Sequence, residues 1–272
     1  MPELPEVQSV VNYFRPFLLN QYIKTVEHLN GYNKVFETHT VKKLNKHVSN
    51  KKITNIWRRG KYIILDVSDG HLCIHLRMTG QLQIGSSKND NPRHFTALIS
   101  LKNNSKLYFK DYRKFGRIYF FNNLNVLNNK LGPEPFDLSF NYKYLKTELN
   151  KSKGMIKPKL LNQKFIAGLG NIYVDEVLWE CRIHPTTRSN KISSNKIKRL
   201  LVAIPKILQK SIDFNGTTII NFSPGNKTKG KFSNYLNVFG KQNQGCPNCE
   251  TSIRKIFVSQ RGTHFCPRCQ KC

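Results

Sequence analysis

Lys52-Ile-Thr-Asn-Ile-Trp-Arg-Arg-Gly-Lys-Tyr-Ile-Ile-Leu-Asp-Val-Ser-Asp-Gly-His-Leu-Cys-Ile-His-Leu76 contains three short runs rich in β-branched and aromatic residues. Lys52–Trp57, Tyr62–Val67 and His71–Leu76 are each of strand length, and the breaks between them contain glycine. Connections this short join antiparallel neighbours, because parallel strands need a long crossover. Phe95–Leu101, Lys106–Tyr108 and Arg117–Phe121 continue the pattern downstream. Strands with local connections predict an antiparallel sandwich or barrel. Upstream, Val7, Val10, Val11 and Phe14 recur at helical spacing, which predicts one helix, closed by Pro16.

Asn122–Asn129 is polar and asparagine-rich, and Gly132-Pro-Glu-Pro135 breaks regular structure, so a domain boundary is expected there. Residues 141–214 read as helical. Lys191–Ile212 carries Ile197, Leu200, Leu201, Ile204 and Ile207 on one face, with Pro205 expected to kink or restart the helix. Gly216–Lys241 reads as a mobile loop followed by a strand. The fold class is α+β: an N-terminal antiparallel β-sandwich carrying a helix (1–131), a C-terminal helical domain (132–236) and a four-cysteine zinc-finger hairpin (237–272).

The 272 residues allow about two domains with real cores. Lysine and arginine number 45 against 16 acidic residues, a net charge of 45 − 16 = +29. That excess calls for a polyanion, with nucleic acid the first candidate. A basic membrane-surface protein would carry an amphipathic or lipidated segment, and neither is present. No apolar run approaches the ~18–20 residues of a membrane span. The start of the chain is acidic, unlike a signal peptide, so an intracellular protein is expected.

The chain has seven cysteines. Cys246-Pro-Asn-Cys249 and Cys266-Pro-Arg-Cys269 give C-x2-C-x16-C-x2-C, the spacing of one tetrahedral structural zinc. With four sulfurs no position is left open for catalysis. Between the knuckles two strands are expected, joined by a turn at Gln260-Arg-Gly262 that holds Arg261 at the tip, placed to grip a phosphate. Cys73, Cys181 and Trp179 read as core.

At the other end stands Met1-Pro-Glu-Leu-Pro-Glu6. Once Met1 is removed, Pro2 is a secondary α-amine, less basic than lysine and able to form an iminium with an aldehyde carbon. Glu3 supplies a carboxyl beside it. A plain helix start with stiffening prolines is the competing reading. Arg58-Arg-Gly-Lys61 suits phosphate contact, with Lys61 a candidate acid or base. His75-Leu-Arg-Met-Thr-Gly80 and Asp111-Tyr-Arg-Lys-Phe-Gly116 end in glycine turns and offer Met78, Arg113 and Phe115 as a wedge for a base stack. Core placement is the default for Met78 and Phe115 taken singly. Gly168-Leu-Gly-Asn171 opens an amphipathic helix whose N–H groups and Asn171 suit a phosphate.

In this order the motifs resemble the bacterial formamidopyrimidine-DNA glycosylases, from Pro2 to Lys271. The resemblance rests on Pro2-Glu-Leu-Pro-Glu-Val7, Arg59-Gly-Lys61, His75–Gly80, Arg113-Lys-Phe-Gly116, Leu131-Gly-Pro-Glu-Pro135, Gly170-Asn-Ile-Tyr173, Gly216-Thr-Thr218 and the finger with Gln260-Arg-Gly-Thr263. It implies a monomeric, cytoplasmic repair enzyme, nucleoid-associated through DNA. Its helical domain would be a helix-two-turn-helix. It would excise 8-oxoguanine and formamidopyrimidines from double-stranded DNA, then cleave abasic sites by β,δ-elimination. By the same resemblance Pro2 is the nucleophile and Glu3 the proton donor, Lys61 serves β-elimination and Arg261 δ-elimination. His94, Arg113, Lys153 and Asn171 contact DNA beside Met78 and Phe115. Two departures stand out: Thr228, between Lys227 and Lys229, and Ser152, between Lys151 and Lys153, occupy lysine positions of the family. Cys272 matches no family role. The near alternative is an enzyme for oxidised pyrimidines, against which Leu4 and Arg113-Lys-Phe-Gly116 speak. A non-catalytic zinc-finger DNA-binding protein is the distant one, and it would need neither Pro2-Glu3 nor Lys61.

Overall fold

A computed structural model describes residues 2–86, 90–217, 219–223 and 226–271, the side chains of 218–229 excepted. Of the positions singled out above, Met1, Thr218, Cys272 and the side chains of Lys227, Thr228 and Lys229 lie outside the described residues. The chain forms two compact units, Met1–Asn128 with Asn215–Gly230, and Asn129–Phe214 with Lys231–Cys272.

The first unit opens with helix α1 (Leu4–Leu18), followed by β1 (Ile23–His28), α2 (Val41–Val48), β2 (Ile53–Arg59), β3 (Tyr62–Val67), β4 (Gly70–His75), β5 (Gly80–Ile84), β6 (Phe95–Leu101), β7 (Lys106–Asp111), β8 (Arg117–Phe121) and a short α3 (Asn125–Asn128). The strands form two four-stranded antiparallel sheets, β1-β6-β7-β5 and β2-β3-β4-β8. Val26, Ile99, Leu107 and Phe109 from one sheet share a core with Ile56, Ile63, Leu72, Ile74 and Ile118 from the other, closed by Val7, Val10, Phe14 and Leu18 of α1. This is the expected sandwich with its helix. α2 interrupts the β texture because Thr40 caps Lys43 N and Leu44 and Val48 are buried.

Pro16 does not end α1; it lies inside it. The proline forfeits one backbone bond on an exposed face, whereas Phe14 and Leu18 are completely buried, each contributing about 1.5–3 kcal/mol by leaving water. Packing outweighs the missing bond. The same holds at Pro205: residues Ser194–Asp213 form one helix with Ile204 and Leu208 buried on either side of the proline.

The β2–β3 turn is Gly60-Lys61, between the paired Arg59 and Tyr62, with positive φ at Gly60 (58°) and not at Lys61, as in a type II′ hairpin. Gly216–Lys241 contains the antiparallel pair β9 (Ile219–Ser223) and β10 (Asn226–Lys229), and β9 packs beside β5 and α1.

The second unit contains α4 (Tyr142–Asn150), α5 (Ile156–Leu161), α6 (Asn171–Glu180) and α7 (Ser194–Asp213), then the hairpin β11 (Arg254–Val258) and β12 (Arg261–Phe265). α6 is not amphipathic: Tyr173 to Leu178 are all buried, including Asp175 and Glu176. It is the central post of the unit. No helix among the described residues is long and apolar enough to cross a membrane.

Candidate functional site

Glu3 is the N-cap of α1 and 3% exposed, with Pro2 immediately before it. Its backbone N–H donates to Glu6 Oε2 at 2.9 Å. The other oxygen of Glu6 accepts from Thr217 N (2.9 Å) and Thr217 Oγ1 (3.1 Å). One buried carboxylate therefore ties the catalytic candidate to the Gly216-Thr217 turn. Gly216 has φ +79°, and a Cβ there would lie 2.7 Å from Glu6 Oε1, so only glycine suits the position. Glu6 is an acidic residue in the first turn of α1, and its second partner is 211 residues away.

Lys61 is 6% exposed, buried in the turn rather than solvated. Burial, then Arg77 and Lys61, press His75 down from 6.5 to about 3. Its Nδ1 accepts from Arg77 N at 3.1 Å, which leaves the ring proton on Nε2. The imidazole is neutral at physiological pH. Below pH 6.5 the unfolded chain gains a proton that folded His75 refuses, so stability falls from pH 6.5 towards 3, by up to about 1.4 kcal/mol per pH unit. In His75→Asn this component is expected to vanish, measured as a smaller shift in urea midpoint between pH 7 and pH 5 than in the parent.

Met78 and Phe115 are 45% and 46% exposed, so neither belongs to the core. Arg113 donates Nη1 to Met78 Sδ at 3.0 Å, and its guanidinium lies 4.7 Å from the centre of the Phe115 ring. The three form one cluster. Buried Asp111 builds it: Gly116 N donates to its Oδ2 (2.6 Å), and Arg113 N (3.1 Å) and Thr79 Oγ1 donate to its Oδ1. Arg113 N also donates to Thr79 Oγ1 at 3.1 Å, joining the two loops. The sequence reading named the tips and missed Asp111 and Thr79, whose types signal turn chemistry but not which loops they join. His94 is half-buried, its ring 4.4 Å from that of Tyr112.

In the second unit Lys153 is exposed just beyond the Lys151 cap of α4, beside half-buried Ser152. Asn171 opens α6 after Gly168, at φ +90°, and donates Nδ2 to Gly262 O at 2.9 Å. Lys157, absent from the sequence reading, is fully buried: its ammonium donates to Asp175 Oδ1 at 2.6 Å and to Gly262 O at 3.2 Å. Asp175 Oδ2 accepts from His264 N at 2.8 Å. Arg261 is not the tip. Ser259 (φ 46°) and Gln260 (φ 61°) form the turn, and Arg261 is the exposed first residue of β12, paired with Val258. A two-residue turn with both φ positive matches strand twist better than the wider turn expected.

The Sγ atoms of Cys246, Cys249, Cys266 and Cys269 lie within 4.8 Å of one another, with contacts of 3.5 to 3.9 Å. Tetrahedral zinc with Zn–S of about 2.3 Å places sulfurs about 3.8 Å apart, so the donor set fits one zinc ion. Burial pushes the Cys73 and Cys181 thiols up to about 12, in keeping with inert core residues.

Residues 1–118 match the formamidopyrimidine-DNA glycosylase N-terminal domain, 131–223 the formamidopyrimidine-DNA glycosylase H2TH domain, and 244–271 the zinc finger found in FPG and IleRS. The chain belongs to the formamidopyrimidine-DNA glycosylase family. It is 37% identical over 274 residues to the formamidopyrimidine-DNA glycosylase of Herpetosiphon aurantiacus, covering 99% of this chain and 100% of that one. With the Lactococcus lactis subsp. cremoris enzyme identity is 40% over 278 residues, covering both chains fully. Two Lactococcus lactis structures, one bound to Fapy-dG-containing DNA and one to abasic-site DNA, superpose with TM-scores of 0.91 and 0.90 at 38% identity. The first match covers 100% of both chains, the second 99% of this chain and 100% of the other. As a formamidopyrimidine-DNA glycosylase family member the chain has an α+β fold with an H2TH domain and a zinc finger.

Proposed function

We propose that this chain excises oxidised purines, 8-oxoguanine and formamidopyrimidines, from double-stranded DNA and then cleaves the abasic site by β,δ-elimination. The observation that carries the reading is Pro2 beside a buried Glu3, held at the start of α1 through Glu6. The lesion nucleotide leaves the stack, at a cost of about a few kcal/mol, and Met78, Arg113 and Phe115 fill its place. His94, Lys153 and Asn171 hold backbone phosphates.

The Pro2 nitrogen, free once Met1 is gone, attacks C1′ of the sugar. The bond from C1′ to the base breaks as the base departs with the proton released by the Pro2 nitrogen, and Glu3 protonates the ring oxygen as the sugar opens to an iminium. The iminium acidifies C2′. Lys61 accepts the C2′ proton, the electron pair forms a double bond, and the 3′ phosphate leaves from C3′. A second elimination releases the 5′ phosphate, with Arg261 pairing with the departing charge. The product is a one-nucleotide gap with phosphates at both ends. The four thiolates fill the coordination of tetrahedral zinc, which supplies the folding energy of the hairpin carrying Arg261. The enzyme acts as a monomer in the bacterial cytoplasm, with functional domains at 1–131, 132–236 and 237–272.

Borohydride trapping on a duplex with 8-oxoguanine opposite cytosine tests the reading. Protein whose N-terminal mass lacks Met1 should form a covalent adduct, and Pro2→Gly should form far less. No adduct, or equal trapping by Pro2→Gly, refutes it. With about six phosphates engaged, log binding constant against log salt should fall with a slope of about −5; a slope near zero would remove the electrostatic role of the +29 charge.

A further inference from the structure

Four polar side chains of α6 hold the segment that carries the zinc cysteines. Asn171 donates to Gly262 O, and Asp175 accepts from His264 N. Glu176 accepts from the backbone N–H groups of Asn237, Val238 and Phe239 at 2.8 to 2.9 Å. Trp179 donates its indole N–H to Cys246 Sγ at 3.4 Å. At about 100° per residue, positions 171, 175, 176 and 179 fall within an arc of about 140°, a single stripe of the helix. Three of the four hold backbone. Trp179 alone reaches an atom that ligates the metal.

Trp179 packs against a hydrophobic core, as its residue type predicts, and its indole N–H has a polar partner as well. The side chain is half-buried, packs against Val238, Ile253 and the cysteines, and borders a cavity of about 220 Å³ with Arg182, Arg199 and Asn248. Four thiolates around a divalent ion carry an excess of two negative charges, which N–H donors to sulfur offset. The zinc module supplies two such donors itself, Asn248 Nδ2 to Cys269 Sγ (3.2 Å) and Cys269 N to Cys266 Sγ (3.4 Å). Cys246 receives its donor from the helix instead.

We propose that Trp179 is an outer-sphere partner of the zinc centre, its indole N–H holding the Cys246 thiolate in its ligating position so that metal retention depends on α6. The contact makes the helix part of the metal site rather than a surface on which the finger rests. It also offsets part of the charge on the buried Cys246 sulfur. Loss of outer-shell partners typically costs 10–100-fold in metal affinity.

The test uses full-length protein, loaded with zinc or with cobalt(II) as a spectroscopic substitute. In Trp179→Phe, which keeps the aromatic packing and deletes the donor, zinc should pass to a chromogenic chelator at least about tenfold faster. The sulfur-to-cobalt charge-transfer absorption should move to longer wavelength, because a thiolate without its N–H donor gives up electrons more easily. Trp57→Phe, in the other unit, should leave both unchanged. Unchanged release and absorption overturn the proposal, and faster release with an unmoved band marks lost packing and overturns it as well. Should Trp179→Phe fail to fold, the zinc-loaded Trp57→Phe protein leaves Trp179 as its sole indole. Its ultraviolet resonance Raman band for N–H hydrogen bonding must then report a donating indole, and a non-bonded position refutes the assignment.

Discussion

Glu3→Gln is expected to slow base release by roughly 10²–10⁴-fold, the usual loss when a positioned acid or base is removed. Glu3 is buried at 3% exposure and takes part in a reciprocal cap with Glu6, its side chain accepting from the Glu6 backbone N–H. Glutamine has the same size and keeps a carbonyl for that acceptor role, so α1 should start as before. What it lacks is a proton to give to the opening sugar. Single-turnover base release should therefore collapse, while affinity for lesion DNA stays within a small factor of the parent. A variant releasing base at the parental rate would remove Glu3 from the chemistry and leave it only as a cap. Unchanged stability alongside the lost rate would separate the two roles.

The second large effect concerns a buried ion pair, one partner of which lies on the helix opened by Gly170-Asn-Ile-Tyr173. Lys157 and Asp175 are both 0% exposed and 2.6 Å apart, and they reach Gly262 O and His264 N on the strand that begins with Arg261. Breaking a buried pair leaves one charge without compensation, which costs about 3–5 kcal/mol, whereas replacing both partners by apolar groups is often close to neutral. Asp175→Ala should lower unfolding free energy by about that amount, read from urea denaturation. Adding Lys157→Met should recover most of it. If the single and double variants were equally destabilised, the loss would lie in the backbone bond from His264 N rather than in the ion pair. Because the pair grips the strand of Arg261, the single variant should also lose δ-elimination before β-elimination, leaving products that retain the sugar remnant.

The Pro2-Glu3 pair, the four-cysteine spacing, the local strand connections and the +29 charge are all legible in the chain itself. Each depends on neighbouring residues or on composition, which tertiary folding does not rearrange. The helix ends were less legible, because Pro16 and Pro205 obey local propensity only until buried neighbours such as Leu18 and Leu208 outweigh it. Arg261 moved from turn to strand for a similar reason: positive φ at Ser259 and Gln260 is a choice made by the pairing of β11 with β12. The partners of the positioning groups stayed hidden. Glu6, Asp111, Lys157, Asp175 and Trp179 are ordinary residues in sequence, and their meaning comes from partners 2 to 211 positions away. Sequence determined which groups could do chemistry and bind metal. Only the tertiary structure decided which buried carboxylates, ammonium and indole hold them, because desolvation makes a polar group specific to whichever partner the fold brings within reach.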